Sequence, residues 1–166
     1  MATSSGLFGV DLSSGQVKKI DYLKGFERNL NTANTKFLTL HNNELLIGTV
    51  EGLFSIPFNQ IHAYIKGFGS EPKSKLLIPE LNIWTMISSG ENRYNLGTNQ
   101  GLYNYSVESE QLEHILQPAD SRLQMADNDL RHIVKDKSGN LWMGTVFDGV
   151  LYWTPKSAQF NNITGN

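Results

Sequence analysis

The chain has 166 residues, of which 18% are charged and 39% apolar, with 15 glycines and a formal net charge of −2. That length holds one ordinary domain or a few units of a repeat, and the low charge and abundant glycine argue against a disordered tail or a long coiled coil. Fourteen basic residues against sixteen acidic ones, without a run of Lys or Arg, argue against nucleic acid as a partner; the absence of cysteine removes disulfides, thiolate zinc sites and thiol nucleophiles. In chain order, Gly6-Leu7-Phe8 opens a short strand that turns at Ser13-Ser14-Gly15 into Val17-Lys18-Lys19-Ile20. Phe37-Leu38, the hinge His41-Asn42-Asn43, Leu45-Leu46-Ile47 and Gly52-Leu53-Phe54 then read as strands joined by hairpins. An insertion from Pro57 to Pro79 follows, where Ile61, Tyr64, Ile65 and Phe68 suit a short amphipathic helix before Gly67 and Gly69, with a loop as the alternative. Met86-Ile87, Tyr94-Asn95-Leu96, Gly101-Leu102-Tyr103 and Leu112-Glu113-His114-Ile115 form a further set of strands. Ile133-Val134, Leu141-Trp142-Met143, Val150-Leu151-Tyr152 and, after a turn at Lys156-Ser157-Ala158, Phe160-Asn161-Asn162-Ile163 form the last.

These sets are copies of one unit. Gly-Thr recurs at residues 48, 97 and 144, at steps of 49 and 47 residues, followed by Gly52-Leu53-Phe54, Gly101-Leu102-Tyr103 and Gly149-Val150-Leu151-Tyr152. Counting back from each Gly-Thr without gaps aligns Phe37-Leu38, Met86-Ile87 and Ile133-Val134. A four-stranded unit repeated every forty to fifty residues marks an all-β fold, the β-propeller, whose blades stack radially around a channel. The expected division is the outer strands of a partial blade in 1–31, a blade with the insertion in 32–79, a blade and linker in 80–124, and a blade in 125–166. That makes about three and a half four-stranded blades, and the chain is expected to start inside a repeat. The longest apolar runs are far short of a membrane span, and Met1-Ala2-Thr3-Ser4-Ser5 lacks the charged and apolar regions of a signal peptide, so no membrane contact by this segment is expected.

The last unit reads Asp129-Leu130-Arg131-His132-Ile133-Val134, then Asp136-Lys137-Ser138-Gly139-Asn140-Leu141-Trp142-Met143-Gly144-Thr145, then Gly149-Val150-Leu151-Tyr152. It resembles the regulator-propeller repeat of two-component sensor proteins, with its Asp-x-x-Gly-x-Leu-Trp-Ile-Gly-Thr and Gly-Gly-Leu-aromatic pattern. The link Val146-Phe147-Asp148 is one residue longer than its counterparts, Val150 replaces the family's Leu, and Tyr94-Asn95 and Leu45-Leu46 stand where the family has Leu-Trp. The resemblance implies a periplasmic or other extracytoplasmic sensory segment of a membrane-bound, often hybrid, histidine kinase, many of which respond to carbohydrates. Kinase activity would belong to parts of a parent protein outside this chain, which would be an excised piece or a short relative completed by another chain.

No catalytic or metal constellation is readable. His41, His62, His114 and His132 are scattered without a His-Glu-x-x-His, Ser70-Glu71-Pro72-Lys73 carries a helix-disfavouring proline, and Gly67-Phe68-Gly69 lacks the third glycine and preceding strand of a phosphate loop. Asn104-Tyr105-Ser106 and Asn162-Ile163-Thr164 match the glycosylation triplet by accident. Trp142 is expected to pack between blades, with Phe8, Phe54, Tyr103 and Tyr152 as core. The candidate ligand-binding residues are Glu51, Asn99, Gln100, Phe147 and Asp148, which lie in variable links on a constant frame, with Trp84 and Arg131 at the start of first strands on the same face; Thr35 aligns with these two. Polar and aromatic groups converging on one face suit sugar rings. The expected function is therefore a non-catalytic sensory propeller segment that binds or relays a small-molecule signal such as an oligosaccharide, without a cofactor. Two alternatives remain: a propeller lyase using His132 near Asp148, and a protein-binding scaffold. The other expected partners are further propeller blades or a second copy of the chain, since two copies of three and a half blades make a seven-bladed ring and a homodimer.

Overall fold

The computed structural model of the chain describes residues 1–3, 6–21, 34–116, 129–154 and 159–163. The expected turn at Lys156-Ser157-Ala158 lies outside them. The chain is built of four antiparallel sheets grouped in two compact units, Met1–Asn82 and Ile83–Asn166.

The first unit opens with β1 (Ala2–Thr3), β2 (Gly6–Val10) and β3 (Val17–Ile20), in the order β1-β2-β3. The sequence suggests only two strands here; β1 adds a third, pairing Ala2 with Leu7 and Thr3 with Gly6. Between β2 and β3 the Asp11 carboxylate accepts the Ser13 N–H and the Ser13 and Ser14 hydroxyls, and Gly15 takes φ 72 to bring the chain back. The second sheet runs β4 (Thr35–His41), β5 (Glu44–Thr49), β6 (Gly52–Pro57) and β7 (Lys75–Pro79) in simple meander order. The insertion does form a helix, α1 (Phe58–Lys66), starting after Pro57 and ending at Gly67, whose φ of 84 lets Gly67 and Phe68 return N–H groups to the carbonyls of Tyr64 and Ala63. Its Ile61 completes a core with Leu7, Ile20, Ile47, Phe54 and Ile56.

The second unit contains β8 (Ile83–Gly90), β9 (Arg93–Thr98), β10 (Gly101–Ser106) and β11 (Gln111–Leu116), then β12 (Leu130–Lys135), β13 (Leu141–Thr145), β14 (Val150–Thr154) and β15 (Gln159–Ile163), each set a four-stranded meander. The two sheets pack through Leu102, Leu130, Ile133, Leu141, Met143 and Leu151. At Gly97 the approach is so close that a Cβ would lie 2.7 Å from the Leu130 carbonyl oxygen of the facing sheet.

Register corrects two sequence expectations. The ladder sets Phe37, Thr85 and His132 opposite Gly48, Gly97 and Gly144, so the gapless alignment of Phe37 with Met86 and Ile133 is one residue out. The cause is the hairpins: β4–β5 closes tightly, whereas β8 gains a bulge between Ser88 and Gly90 and β12–β13 has a longer turn. Trp142, expected between blades, is 39% exposed, because Leu141 and Met143 take the buried side of β13 and strict alternation turns Trp142 to the other. It leans on Tyr152, with ring centroids 4.6 Å apart, and donates its indole N–H to Asp136 Oδ2 at 3.2 Å. Asp136 also accepts the Ser138 and Asn140 backbone N–H groups and the Asn140 amide, bonds that hold its carboxyl below the usual range, with Asn140 contributing most. The Asp-x-x-Gly-x-Leu-Trp stretch is thus a self-bonded turn in which Gly139 supplies φ 86. Of the four aromatics expected as core, Phe54 is fully buried and Phe8, Tyr103 and Tyr152 are half-buried.

Candidate functional site

The recurrent Gly-Thr and Gly positions are a clamp on each link between second and third strands. The Thr49, Thr98 and Thr145 hydroxyls donate to the carbonyls of Gly52, Gly101 and Gly149, and accept the backbone N–H of Glu51, Gln100 and Asp148. The glycine after each link has positive φ, 142, 106 and 78 in turn, which a side chain would resist. Two residues between clamps suffice in the first two links. The third holds an extra residue, so the bond to Thr145 comes from the third residue on, Asp148, and Phe147 is thrown outward, 84% exposed.

Trp84 and Arg131 are both bulge residues, sitting where the ladder slips between Ile83 and Thr85 and between Leu130 and His132. A bulge re-aims its side chain out of the pleat. The result is a stack: the Arg131 guanidinium lies 3.6 Å from the Trp84 ring centroid and donates from Nη2 to Asp129 Oδ2 at 2.7 Å. Cation–π attraction and an ion pair thereby fix the donor fork of Arg131. Gln100 joins a second group: its side-chain carbonyl accepts the Tyr103 hydroxyl at 3.5 Å and its backbone carbonyl lies 2.8 Å from His114 Nε2, while the Tyr103 and His114 rings stack at 4.1 Å. Burial pushes the Tyr103 phenol above its ordinary value.

The structure therefore brings Trp84 and Arg131 together and leaves Asn99 and Phe147 exposed at link tips, with Asp148 half-buried. Glu51 belongs to the first unit, where its backbone carbonyl accepts the Glu80 N–H. The bulge of β4 lies between Thr35 and Phe37, so Lys36, not Thr35, is the counterpart of Trp84 and Arg131; the one-residue alignment error hid it. Asp129, Tyr103 and His114 were also missed, since no spacing signals a residue that acts by holding another. The His132 side chain forms no hydrogen bond among the described residues, and His132 lies opposite Gly144 at an exposed position of β12.

Sequence reasoning likewise gave no sign of the open, mainly apolar cavity of about 580 Å³ in the first unit, lined by Leu7, Ile20, Leu38, Leu45, Ile61 and Ile65. At its rim Lys66 Nζ meets Asp11 Oδ2 at 2.8 Å and the Ser13 hydroxyl at 3.2 Å. The Lys66 ammonium, ahead of the serine hydrogen bonds, holds the Asp11 carboxyl far below the usual carboxylate range.

No family model and no curated protein matches the chain. Among solved structures it is similar to the extracellular domain of BT4673 from B. thetaiotaomicron, described as a hybrid two component system, with TM-score 0.74 and 16% identity over 99% of this chain and 20% of that one. The extracellular domain of BT3049 from the same organism, described likewise, gives TM-score 0.67 and 18% identity over 96% of this chain and 20% of that one. PorZ of Porphyromonas gingivalis, a bacterial surface component of the type-IX secretion system, gives TM-score 0.56 and 12% identity over 92% of this chain and 29% of that one. The chain thus spans about a fifth of the length of the first two. At these identities the likeness establishes the fold: four small antiparallel sheets forming part of a β-propeller, about three to four blades.

Proposed function

We propose that the chain is a sensory β-propeller segment of a two-component signal-transduction sensor, located outside the cytoplasm, which binds or relays a small-molecule signal and performs no chemistry on it. The observation that carries this reading is the likeness, over 99% of the chain, to the extracellular domain of a hybrid two component system. The link ends supply the means. A clamped frame presents variable residues: the ordered fork of Arg131 offers directional donors next to the Trp84 ring, and Asn99 and Gln100 are exposed at a link tip. Such pairing suits the hydroxyl-rich edges and apolar faces of an oligosaccharide. Further propeller blades, or a second copy of the chain, belong to the same reading as partners.

The test is binding of the chain to an array of oligosaccharides, with the bound compounds then incubated with protein and analysed for conversion. A saturable ligand that is recovered intact, and that loses about tenfold in affinity with Arg131→Ala, is the expected result. Conversion of the ligand would overturn the sensory reading in favour of an enzyme. Binding to no small molecule, together with capture of a protein partner, would favour a scaffold.

A further inference from the structure

The geometry points to a second binding site, a polar cavity between the two sheets of the second unit, suited to a small hydroxylated carboxylate. This site is built on the sheet faces rather than on the link tips, and shares only His114 with the Gln100 group. It originates in one substitution within the repeat. The ladder pairs Leu46 with Ser55, Asn95 with Asn104 and Trp142 with Tyr152 at the same place in three successive sheets, two residues before the glycine of each Gly-Thr. Where the last sheet places two large rings, the sheet of β8–β11 places two short amides. Asn95 and Asn104 face β12–β15, as do Ile87 and Leu102 of the same sheet, so the space that rings would fill is left open. A cavity of about 710 Å³ results, within the roughly 300–1,000 Å³ typical of small-molecule sites.

The groups around it are arranged and unspent. Asn95 is 5% exposed, and Asn104 donates both to its Oδ1 and to the Ser89 hydroxyl at 2.9 Å, so the pair is locked in place. The Asn95 amide nitrogen and the Asn104 carbonyl oxygen make no hydrogen bond among the described residues, leaving one donor and one acceptor on the bonded pair. Vicinal hydroxyls match that donor and acceptor pair. Glu113 continues the row across β11, so Asn95, Asn104 and Glu113 span about 10 Å at two strand spacings. Arg93 and Lys135 line the same cavity, and neither they nor Glu113 have an ion-pair partner among the described residues. Two free cations against one free carboxylate leave one positive charge unmatched, which a ligand carboxylate would balance; Arg93 offers a bidentate fork for it. Trp153, from the facing sheet, supplies an apolar wall. Asn95 is buried and Asn104 half-buried, and each amide keeps hydrogen-bonding capacity that a ligand in the cavity would take up.

The experiment is a titration of the isotopically labelled 166-residue chain with glucuronate and, in parallel, with uncharged glucose, following the side-chain amide signals of Asn95 and Asn104. Glucuronate is expected to shift both signals saturably, with affinity about tenfold above that for glucose and about tenfold lower in Arg93→Gln or Lys135→Gln, both exposed positions. Asn95→Leu, which fills the cavity, should abolish the response; if that variant does not fold, the two cation variants decide. Equal affinity for the two sugars, no saturable shift, or shifts confined to Gln100 and Arg131 would overturn the proposal. The last of these outcomes would leave the link-end reading standing, while saturable shifts at Asn95 and Asn104 with Gln100 and Arg131 unmoved would support this site whatever the oligosaccharide array shows for the link ends.

Discussion

Gly97 and Gly144 hold the same place in the repeat, yet the structure gives them opposite roles, and paired alanine substitutions expose the difference. A Cβ on Gly97 would lie 2.7 Å from the Leu130 carbonyl oxygen, 2.7 Å from the Thr85 methyl and 3.3 Å from Ile133 Cδ1. The Thr85 side chain can rotate, but the Leu130 oxygen is backbone of the facing sheet and moves only if β12 moves. Opening a packed interface by several tenths of an ångström costs about 1–3 kcal/mol, and with a main-chain atom as the obstacle the upper half of that range is expected. At Gly144 the nearest atom to a Cβ is His132 Cβ at 3.9 Å, an ordinary contact, and neither glycine has the positive φ that would add strain. Gly144→Ala should therefore be neutral or stabilise by up to about 1 kcal/mol, through reduced freedom of the unfolded chain. Urea denaturation of both variants and the parent, compared at constant m-value, reads the difference directly as a shift in midpoint. Equal midpoints for the two variants, or a Gly97→Ala protein as stable as the parent, would refute the packing of β8–β11 against β12–β15.

Three further substitutions bear on stability. Trp142→Ala should cost about 1–2 kcal/mol by urea denaturation, less than the 3–5 of a fully buried aromatic, because the ring is partly exposed and contributes its contact with Tyr152 and one bond to Asp136. Tyr105→Phe should stabilise by about 1–2 kcal/mol, since the Tyr105 hydroxyl is buried without a hydrogen-bond partner among the described residues. Burial, with a smaller contribution from Glu110, pushes that phenol up to about 12 from an ordinary 10.0, so the parent should lose stability as pH rises between those values, and the Phe variant should lose less. Asp11→Asn should lower stability at neutral pH and flatten the acid limb of the pH–stability curve: the carboxyl lies below its unfolded value, so its contribution is present above about pH 4 and disappears as pH falls.

The frame was legible because it is carried by residue types with one job. Gly-Thr with a following glycine recurs because a threonine hydroxyl closes each link and only glycine accepts the backbone that follows, so the repeat, its strands and the position of the links are written in three letters. Asp136 and Gly139 are equally readable, as acceptor and left-handed residue of one turn. Exact register was not legible, because a bulge at Ser89 lengthens one hairpin without altering its apolar pattern, and Thr35 was consequently aligned in place of Lys36. Trp142 was misplaced for another reason: the pattern assigns it to a sheet face, but burial depends on what covers that face. The stack of Arg131 on Trp84 and the row of Asn95, Asn104 and Glu113 join residues distant in sequence through register and sheet packing, which no local spacing encodes.

The most direct test of the proposed sensory role follows the Trp84 indole N–H and the Gln100 and Arg131 signals in a labelled sample titrated with an oligosaccharide selected on the array, while the spectrum of the oligosaccharide itself is recorded over hours. Saturable shifts at these three residues with an unchanged ligand spectrum are the predicted result. Conversion of the ligand, or saturation that leaves all three signals in place, would contradict it.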